Sequence, residues 1–187
     1  TGGANGTITF NSGTIATNVA DNITGTAGAD FLFALAGNDT VSAGNGNDSL
    51  WGADGNDFLF GEVGNDSISG GFNNDTLNGG LGADTLEGGS GVDLFVFTSG
   101  DSDTVTGMDV IWDFREGDDA DLIDLSNASL DAIAPGGSLD WGDLVFSTPD
   151  QIGGYMTRVT ISGTSFGFQL VGYWEKDYNI AAADFVF

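Results

Sequence analysis

Eight aspartates recur at nine-residue intervals: Asp30, Asp39, Asp48, Asp57, Asp66, Asp75, Asp84 and Asp93. Each stands sixth in a nonamer, and the eight nonamers run without a gap from "GTAGADFLF" (25–33) to "GGSGVDLFV" (88–96). Position eight is always apolar: Leu32, Val41, Leu50, Leu59, Ile68, Leu77, Leu86 and Phe95. Position four is glycine in every copy but one, where Asn73 replaces it. A degenerate copy, "ATNVADNIT" (16–24), precedes them with Asp21 and Ile23 in register. There is no histidine or cysteine, so the only ligand chemistry on offer is oxygen, from carboxylates and turn carbonyls. Hard oxygen donors in flexible turns favour Ca²⁺ over zinc or copper.

The elements that position these groups follow from the spacing. Position four behaves as a site of positive φ, which glycine reaches without strain and asparagine tolerates next best. Positions seven to nine alternate with only the middle residue reliably apolar, which predicts a three-residue strand with one inward side chain. Six turn residues and three strand residues make a half-coil, and two half-coils make an 18-residue right-handed turn with parallel strands on both sides. Stacked turns place like aspartates about 4.8 Å apart along each edge. Bare charges at that distance repel by about 3–4 kcal/mol at an effective dielectric of 20. A glycine-rich solenoid with metal-free, solvated aspartates leaves that charge unbalanced; divalent cations between the turns reverse it.

The bulk composition agrees. With 28 acids against three bases the net charge is −25, which argues against nucleic acid and anionic membranes as partners and for cations. Yet 40% of residues are hydrophobic and 14 are phenylalanine, too much apolar material for a disordered acidic tail. The absence of cysteine removes disulfides as a staple. No apolar run approaches a membrane span. The opening "TGGANGTITF" has neither the basic nor the apolar region of a signal peptide, and Thr1 is not an initiator methionine. "DSDTVTG" (101–107) begins like an EF-hand loop but lacks its acid at position five, its glycine at position six and its closing glutamate.

The nonamers resemble the "GGxGxDxUx" repeats of RTX (repeats-in-toxin) proteins, a Ca²⁺-binding parallel β-roll motif. The resemblance implies an all-β fold: a right-handed parallel β-roll over 25–96, N-terminal capping strands over 1–24 and a β-rich C-terminal cap over 97–187. It implies about six calcium ions, each between one nonamer and the next but one. One turn supplies carbonyls from positions one and three, the other from positions two and four, and the position-six aspartates bridge. The implied ligand set begins with Gly25, Ala27 and Gly28 beside Asp30, then Ala34, Ala36 and Gly37 beside Asp39. It continues with Ala43, Gly44, Asn45 and Gly46 beside Asp48, and Gly52, Ala53, Asp54 and Gly55 beside Asp57. Gly61, Glu62, Val63 and Gly64 accompany Asp66, and Gly70, Gly71, Phe72 and Asn73 accompany Asp75. Gly79, Gly80, Leu81 and Gly82 accompany Asp84, and Gly89 and Gly91 accompany Asp93. "AL" at Ala34 and Leu35, "AG" at Ala43 and Gly44, and "GE" at Gly61 and Glu62 depart from the family's leading glycine pair, so weaker N-terminal sites are expected.

Residues 94–126 are similar to the C-terminal region of serralysin-type and other type I secreted proteins, with Asp109, Asp113, Phe114, Gly117, Ile123, Asp124, Leu125 and Ser126 matching. Two extra residues after Gly117 leave Asp113 and Asp121 readable either as further calcium ligands or as solvated loop acids. The tail "NIAAADFVF" (179–187) resembles the uncleaved C-terminal signal of type I secretion, with an ordinary final strand as the alternative. Strands are also expected in "TITFNSGTI" at the start, and in "DVIWDF", "GDLVFS", "YMTRVTIS" and "TSFGFQLVGYW", the last two as a hairpin. "DAIAPGG" (131–137) reads as a loop or short helix. Outward positions hold unexpected aromatics: Phe31, Phe33 and Trp51 on one face, Phe58 and Phe60 on the other. They mark self-association, contact with a parent protein, or cover from the termini.

Without histidine, cysteine or an "HExxH" stretch, the chain is read as non-catalytic, although composition alone leaves carboxylate-only catalysis open. The leading function is a calcium-binding module of an extracellular, secreted or cell-surface bacterial protein that folds on Ca²⁺ outside the cell. Its C-terminus would engage the type I secretion apparatus. Two alternatives stand: a self-assembling surface-layer, fibre or adhesin subunit, and an accessory module of a secreted polysaccharide-modifying enzyme.

Overall fold

The computed structural model describes residues 16–98, 101, 107–114, 120–126, 144–146, 156–161, 164, 166–171 and 184–187. The expected strand in "TITFNSGTI" and the loop or helix at 131–137 lie outside them. Fifteen strands and no α-helix occur among the described residues. Within the repeats these are β1 (Asn22–Thr24), β2 (Phe31–Phe33), β3 (Thr40–Asn45), β4 (Ser49–Asp54), β5 (Phe58–Val63), β6 (Ser67–Phe72), β7 (Thr76–Asn78), β8 (Thr85–Ser90) and β9 (Leu94–Val96). Beyond them lie β10 (Asp109–Ile111), β11 (Leu122–Asp124), β12 (Leu144–Phe146), β13 (Met156–Ile161), β14 (Gly167–Val171) and β15 (Phe185–Val186).

The chain crosses between two sheets at every nonamer. One sheet has the order β1-β3-β5-β7-β9-β11-β15, the other β12-β13-β14-β10-β8-β6-β4-β2. Odd and even half-coils therefore form opposite walls, with parallel pairing between each strand and the next but one. Position-eight residues stack in register: Leu32, Leu50, Ile68 and Leu86 in one wall, Ile23, Val41, Leu59, Leu77 and Phe95 in the other. All are buried, and each contributes about 1.5–3 kcal/mol of apolar burial. The result is the expected β-roll with a core one side chain wide per half-coil.

Two expectations are corrected. First, β3, β4, β5, β6 and β8 each run six residues, not three. Parallel pairing continues through the first three turn positions, as in Gly44↔Glu62 and Ala53↔Gly71. Position one then faces inward with position eight, and Ala34 and Ala43 are fully buried there. Second, half-coils continue past the last nonamer. β10 joins β8 with Ile111 beside Leu86, and β11 joins β9 with Ile123 beside Phe95. Insertions precede both strands and break the nine-residue count without breaking the stack.

The far end is closed by antiparallel pairing. β14 lies parallel to β10 and antiparallel to β13, forming the expected hairpin, and β12 adds to β13. Phe97 stacks on Phe168 with ring centroids 4.6 Å apart, and Phe166 meets Phe97 edge-on at 6.0 Å, so aromatic bulk fills the closing layer. β15 completes the other sheet beside β11.

Candidate metal centre

Both edges of the roll carry a file of aspartates. One file is Asp21, Asp39, Asp57, Asp75, Asp93 and Asp121; the other is Asp30, Asp48, Asp66, Asp84 and Asp109. In each file a carboxylate Oδ1 accepts the backbone N–H of the aspartate one turn earlier. The distances are 2.7 Å from Asp21 to Asp39, 2.8 Å from Asp39 to Asp57, 2.8 Å from Asp57 to Asp75, 2.9 Å from Asp75 to Asp93 and 3.0 Å from Asp93 to Asp121. On the second edge they are 2.7, 2.7, 2.8 and 2.8 Å from Asp30 through Asp109. The carboxylates are held by backbone, so their position does not depend on a neighbour's side-chain rotamer.

The second oxygens behave differently. Oδ2 of Asp39, Asp48, Asp57, Asp66, Asp75 and Asp84 is buried and accepts no hydrogen bond. These atoms point into the position-one end of their own turns. A β-carbon placed on Gly52 would collide with Asp57 Oδ2 and lie 2.6 Å from the Gly70 carbonyl oxygen of the next turn. The same holds at Gly70, against Asp75 Oδ2 and the Gly88 carbonyl at 2.6 Å. In the turns opened by Gly52, Gly61 and Gly70, carboxylate and carbonyl oxygens thus converge on one cradle. Positions two and three add carbonyls that each carry one ladder hydrogen bond, such as Asp54 N–H to Leu35 at 2.9 Å and Gly46 N–H to Val63 at 2.8 Å. A carbonyl retains a second lone pair for a metal. Among the described residues no three carboxylates converge, so the donor set mixes carboxylate and carbonyl. An all-oxygen set around buried, unsatisfied carboxylate oxygens fits Ca²⁺.

The electrostatics state the same need. Burial raises the pKa of Asp39, Asp48 and Asp57 above the ordinary 3.8, and pushes Asp66 up to about 6, Asp84 to about 7 and Asp75 to about 8. The backbone N–H on Oδ1 pulls each value back down. Repulsion from the carboxylate one turn earlier adds to the rise. These groups resist ionising in a metal-free roll.

Asp121 continues its file in register. Asp113 does not: its carboxylate accepts the Gly88 and Gly89 amides at 2.9 and 2.7 Å and secures the last nonamer's opening turn. Asp109 was missed as a file member by sequence reasoning. Its signal is "GMDVI", glycine, one residue, aspartate, one residue, aliphatic, with Gly107 in the left-handed region like the position-four glycines. It was hidden because 25 residues separate Asp84 from Asp109 where 18 separate the others.

Position two was also underread. Leu35, Ala53 and Glu62 adopt φ of 79, 80 and 73°, in line with Gly44, Gly71, Gly80 and Gly89. Left-handed backbone is required there as well as at position four. Position five explains the recurrent asparagine. Asn38, Asn56 and Asn74 accept the N–H of Asn56, Asn74 and Val92, and Asn47 and Asn65 those of Asn65 and Ala83, all at 3.0 Å. The two side-chain ladders run in opposite directions and tie each turn to both of its neighbours.

Of the outward aromatics, Phe33 and Trp51 stack at 4.5 Å with planes 6° apart, and Phe31 extends the stack at 6.4 Å from Trp51. Phe31, Phe33 and Phe58 remain about half exposed, at 47, 47 and 50%.

The family model of the RTX calcium-binding nonapeptide repeat, four copies long, matches residues 15–50, 35–68, 44–77, 51–86, 60–95 and 69–105. No curated protein sequence matches the chain. Among solved structures, the AlgE6R2 subunit of the Azotobacter vinelandii mannuronan C5-epimerase aligns at 24% identity and TM-score 0.51, over 88% of this chain and 91% of its own. The AlgE6R3 subunit of that epimerase aligns at 25% identity and TM-score 0.45, over 92% and 80%. The AlgE6R2 likeness is one of fold.

Proposed function

Residues 15–105 belong to the RTX calcium-binding nonapeptide-repeat family, and on that premise we propose that the chain is a module whose folding is switched by calcium and which serves an extracellular protein. The observation that carries this reading is the row of buried Oδ2 atoms, from Asp39 to Asp84, that accept nothing from the protein. Bound calcium supplies positive charge and a flexible shell for oxygen donors. The chain's part is to present Asp39, Asp48, Asp57, Asp66, Asp75 and Asp84 with the position-one to position-four carbonyls of adjoining turns. The core holds only one aliphatic side chain per half-coil, so unneutralised carboxylates outweigh it and the roll opens. Folding and ligand binding are then one equilibrium. The proposed organisation keeps the nonapeptide repeats at 25–96, preceded by a capping segment (1–24) and followed by a C-terminal cap (97–187) whose β10 and β11 first extend the two parallel sheets.

Export fits the same switch. Phe185 and Val186 form the outer strand beside β11, and Leu125 N–H donates to the Val186 carbonyl at 2.8 Å. A tail that joins a sheet when folded is available to a type I secretion apparatus only while the roll is open. On this reading, folding follows passage into calcium-rich surroundings.

The test is a Ca²⁺ titration followed by circular dichroism and calorimetry, expected to show cooperative gain of strand structure with several ions bound. Equal folding in chelator defeats the proposal. A second reading, calcium-dependent self-assembly, is favoured by the half-exposed Phe31, Phe33 and Phe58. Light scattering in calcium separates the two: ordered polymers support assembly, and a folded monomer supports a module.

A further inference from the structure

The first described turn on each edge is built differently from the seven nonamer turns that follow. In the turn of 25–30, Asp30 Oδ2 accepts the Thr26 N–H at 2.6 Å and the Thr26 hydroxyl at 2.8 Å. In the turn of 16–21, Asp21 Oδ2 accepts the Thr17 N–H at 2.7 Å and the Thr17 hydroxyl at 2.8 Å. Threonine stands at position two in both. In the next seven turns that position is held by Leu35, Gly44, Ala53, Glu62, Gly71, Gly80 and Gly89, every one with positive φ. Thr17 and Thr26 are not in that region, and neither is Gly28 at position four, where Gly37, Gly46, Gly55, Gly64, Asn73, Gly82 and Gly91 all are. Two independent observations, the backbone conformation and the hydrogen-bond partners, therefore separate these two turns from the rest.

The atoms involved are those that define the cradle elsewhere. A β-carbon on Gly25 would lie 2.9 Å from Asp30 Oδ2 and collide with the Ala43 carbonyl oxygen, the arrangement found at Gly52 with Asp57 and Gly70. A carboxylate oxygen has about two lone-pair directions. At Asp57 Oδ2 neither is used within the protein. At Oδ2 of Asp30 and of Asp21 an N–H and an O–H occupy both, and the oxygen of Asp30 left without a partner is Oδ1.

We infer that the cradles of 16–21 and 25–30 are closed by Thr17 and Thr26 in place of a cation, and that cation binding begins beyond them. The two threonines make ion-independent ends for the two files, on which the first ion-bearing turns stack. The inference rests on the calcium reading proposed above and assigns a different role to the turn of 25–30 than the bare repeat pattern implies.

Calorimetric stoichiometry tests it on the full chain with Ca²⁺ as the only ligand. Thr26→Gly restores the position-two residue of the later turns and is expected to bind one equivalent more than the wild type. Thr26→Ser keeps the hydroxyl and is expected to match the wild type. A folded Thr26→Gly with wild-type stoichiometry overturns the inference while leaving calcium binding intact. Absence of binding by every form overturns both. A second measurement needs no variant: anomalous scattering from the calcium-loaded wild-type crystal. It is expected to place an ion at Asp57 Oδ2 and none at Asp30 Oδ2, and an ion bonded to Asp30 Oδ2 refutes the assignment.

Discussion

Stripped of calcium, the roll is expected to gain stability as the pH is lowered, the reverse of ordinary acid denaturation. Burial holds Asp66, Asp84 and Asp75 at about 6, about 7 and about 8, against an ordinary 3.8. A folded-state pKa above the unfolded one means that the folded state binds more protons between the two values. Metal-free stability is therefore greatest below about pH 4 and falls as pH rises toward 8. For Asp75 the rise from 3.8 to about 8 would be worth roughly 6 kcal/mol if nothing screened it. Even buried charges in proteins behave as if the effective dielectric were about 20, so a realistic share is about 2–3 kcal/mol, with less from Asp66. Together the three remove several kcal/mol from a typical stability of about 5–15 kcal/mol. Metal-free, the chain should therefore carry strand structure and a melting transition near pH 4, where the carboxylates are protonated, and lose both as the pH approaches 8, where the roll opens. With calcium saturating, protons compete with the cation for Oδ2 and the slope reverses. Thermal melts by circular dichroism across this range, with and without calcium, give two crossing curves. Asp75→Asn should flatten the metal-free one. A metal-free melting temperature that rises with pH refutes the reasoning.

Further outcomes follow from single positions. Gly64→Ala places a β-carbon on the Gly46 carbonyl at φ +151° and should cost at least about 3 kcal/mol, whereas Gly28→Ala, with open space and no positive φ, should stay within about 0.5 kcal/mol; urea denaturation in saturating calcium compares them. Glu62→Gly relieves left-handed strain of about 1 kcal/mol, partly offset by glycine's freedom when unfolded, so the net gain is roughly 0.5 kcal/mol, read as a lower calcium midpoint. Leu50→Ala removes a wholly buried side chain from a one-residue core layer and should cost about 2–4 kcal/mol in the same denaturation assay.

The strain at position two bears on the graded affinity expected along the roll. Leu35, Ala53 and Glu62 hold the left-handed conformation in the N-terminal half, while Gly71, Gly80 and Gly89 hold it without strain further on. Forming an early turn therefore costs more before any ion is held. Trp51 has a partner within the chain, the stacked ring of Phe33, so its outward placement is partly accounted for by a neighbouring strand. Phe58 has no such ring contact among the described residues, and its face of the roll is the better place to seek a binding partner.

Much of this molecule is legible as a count of nine. The period sets the alternation of strands between two walls, the inward Leu, Ile and Val, and the two acidic files, because a repeat that buries one side chain per half-coil has few other ways to stack. Its end could not be read, because insertions before Asp109 and Asp121 destroy the count while preserving the pairing. The sixfold strands, the inward position one and the left-handed position two were hidden for a related reason. They follow from how closely one turn's backbone approaches the next, and small residues record that approach only ambiguously. At position five the asparagine side chain serves the amide 18 residues on, as Asn56 does for Asn74, a link that the count of nine does not show. The sequence alone determined which atoms could hold a cation, since oxygen was the only donor available. Only the tertiary structure decided which of those oxygens were left without a hydrogen bond, because that depends on what each turn presents to its neighbours across the stack.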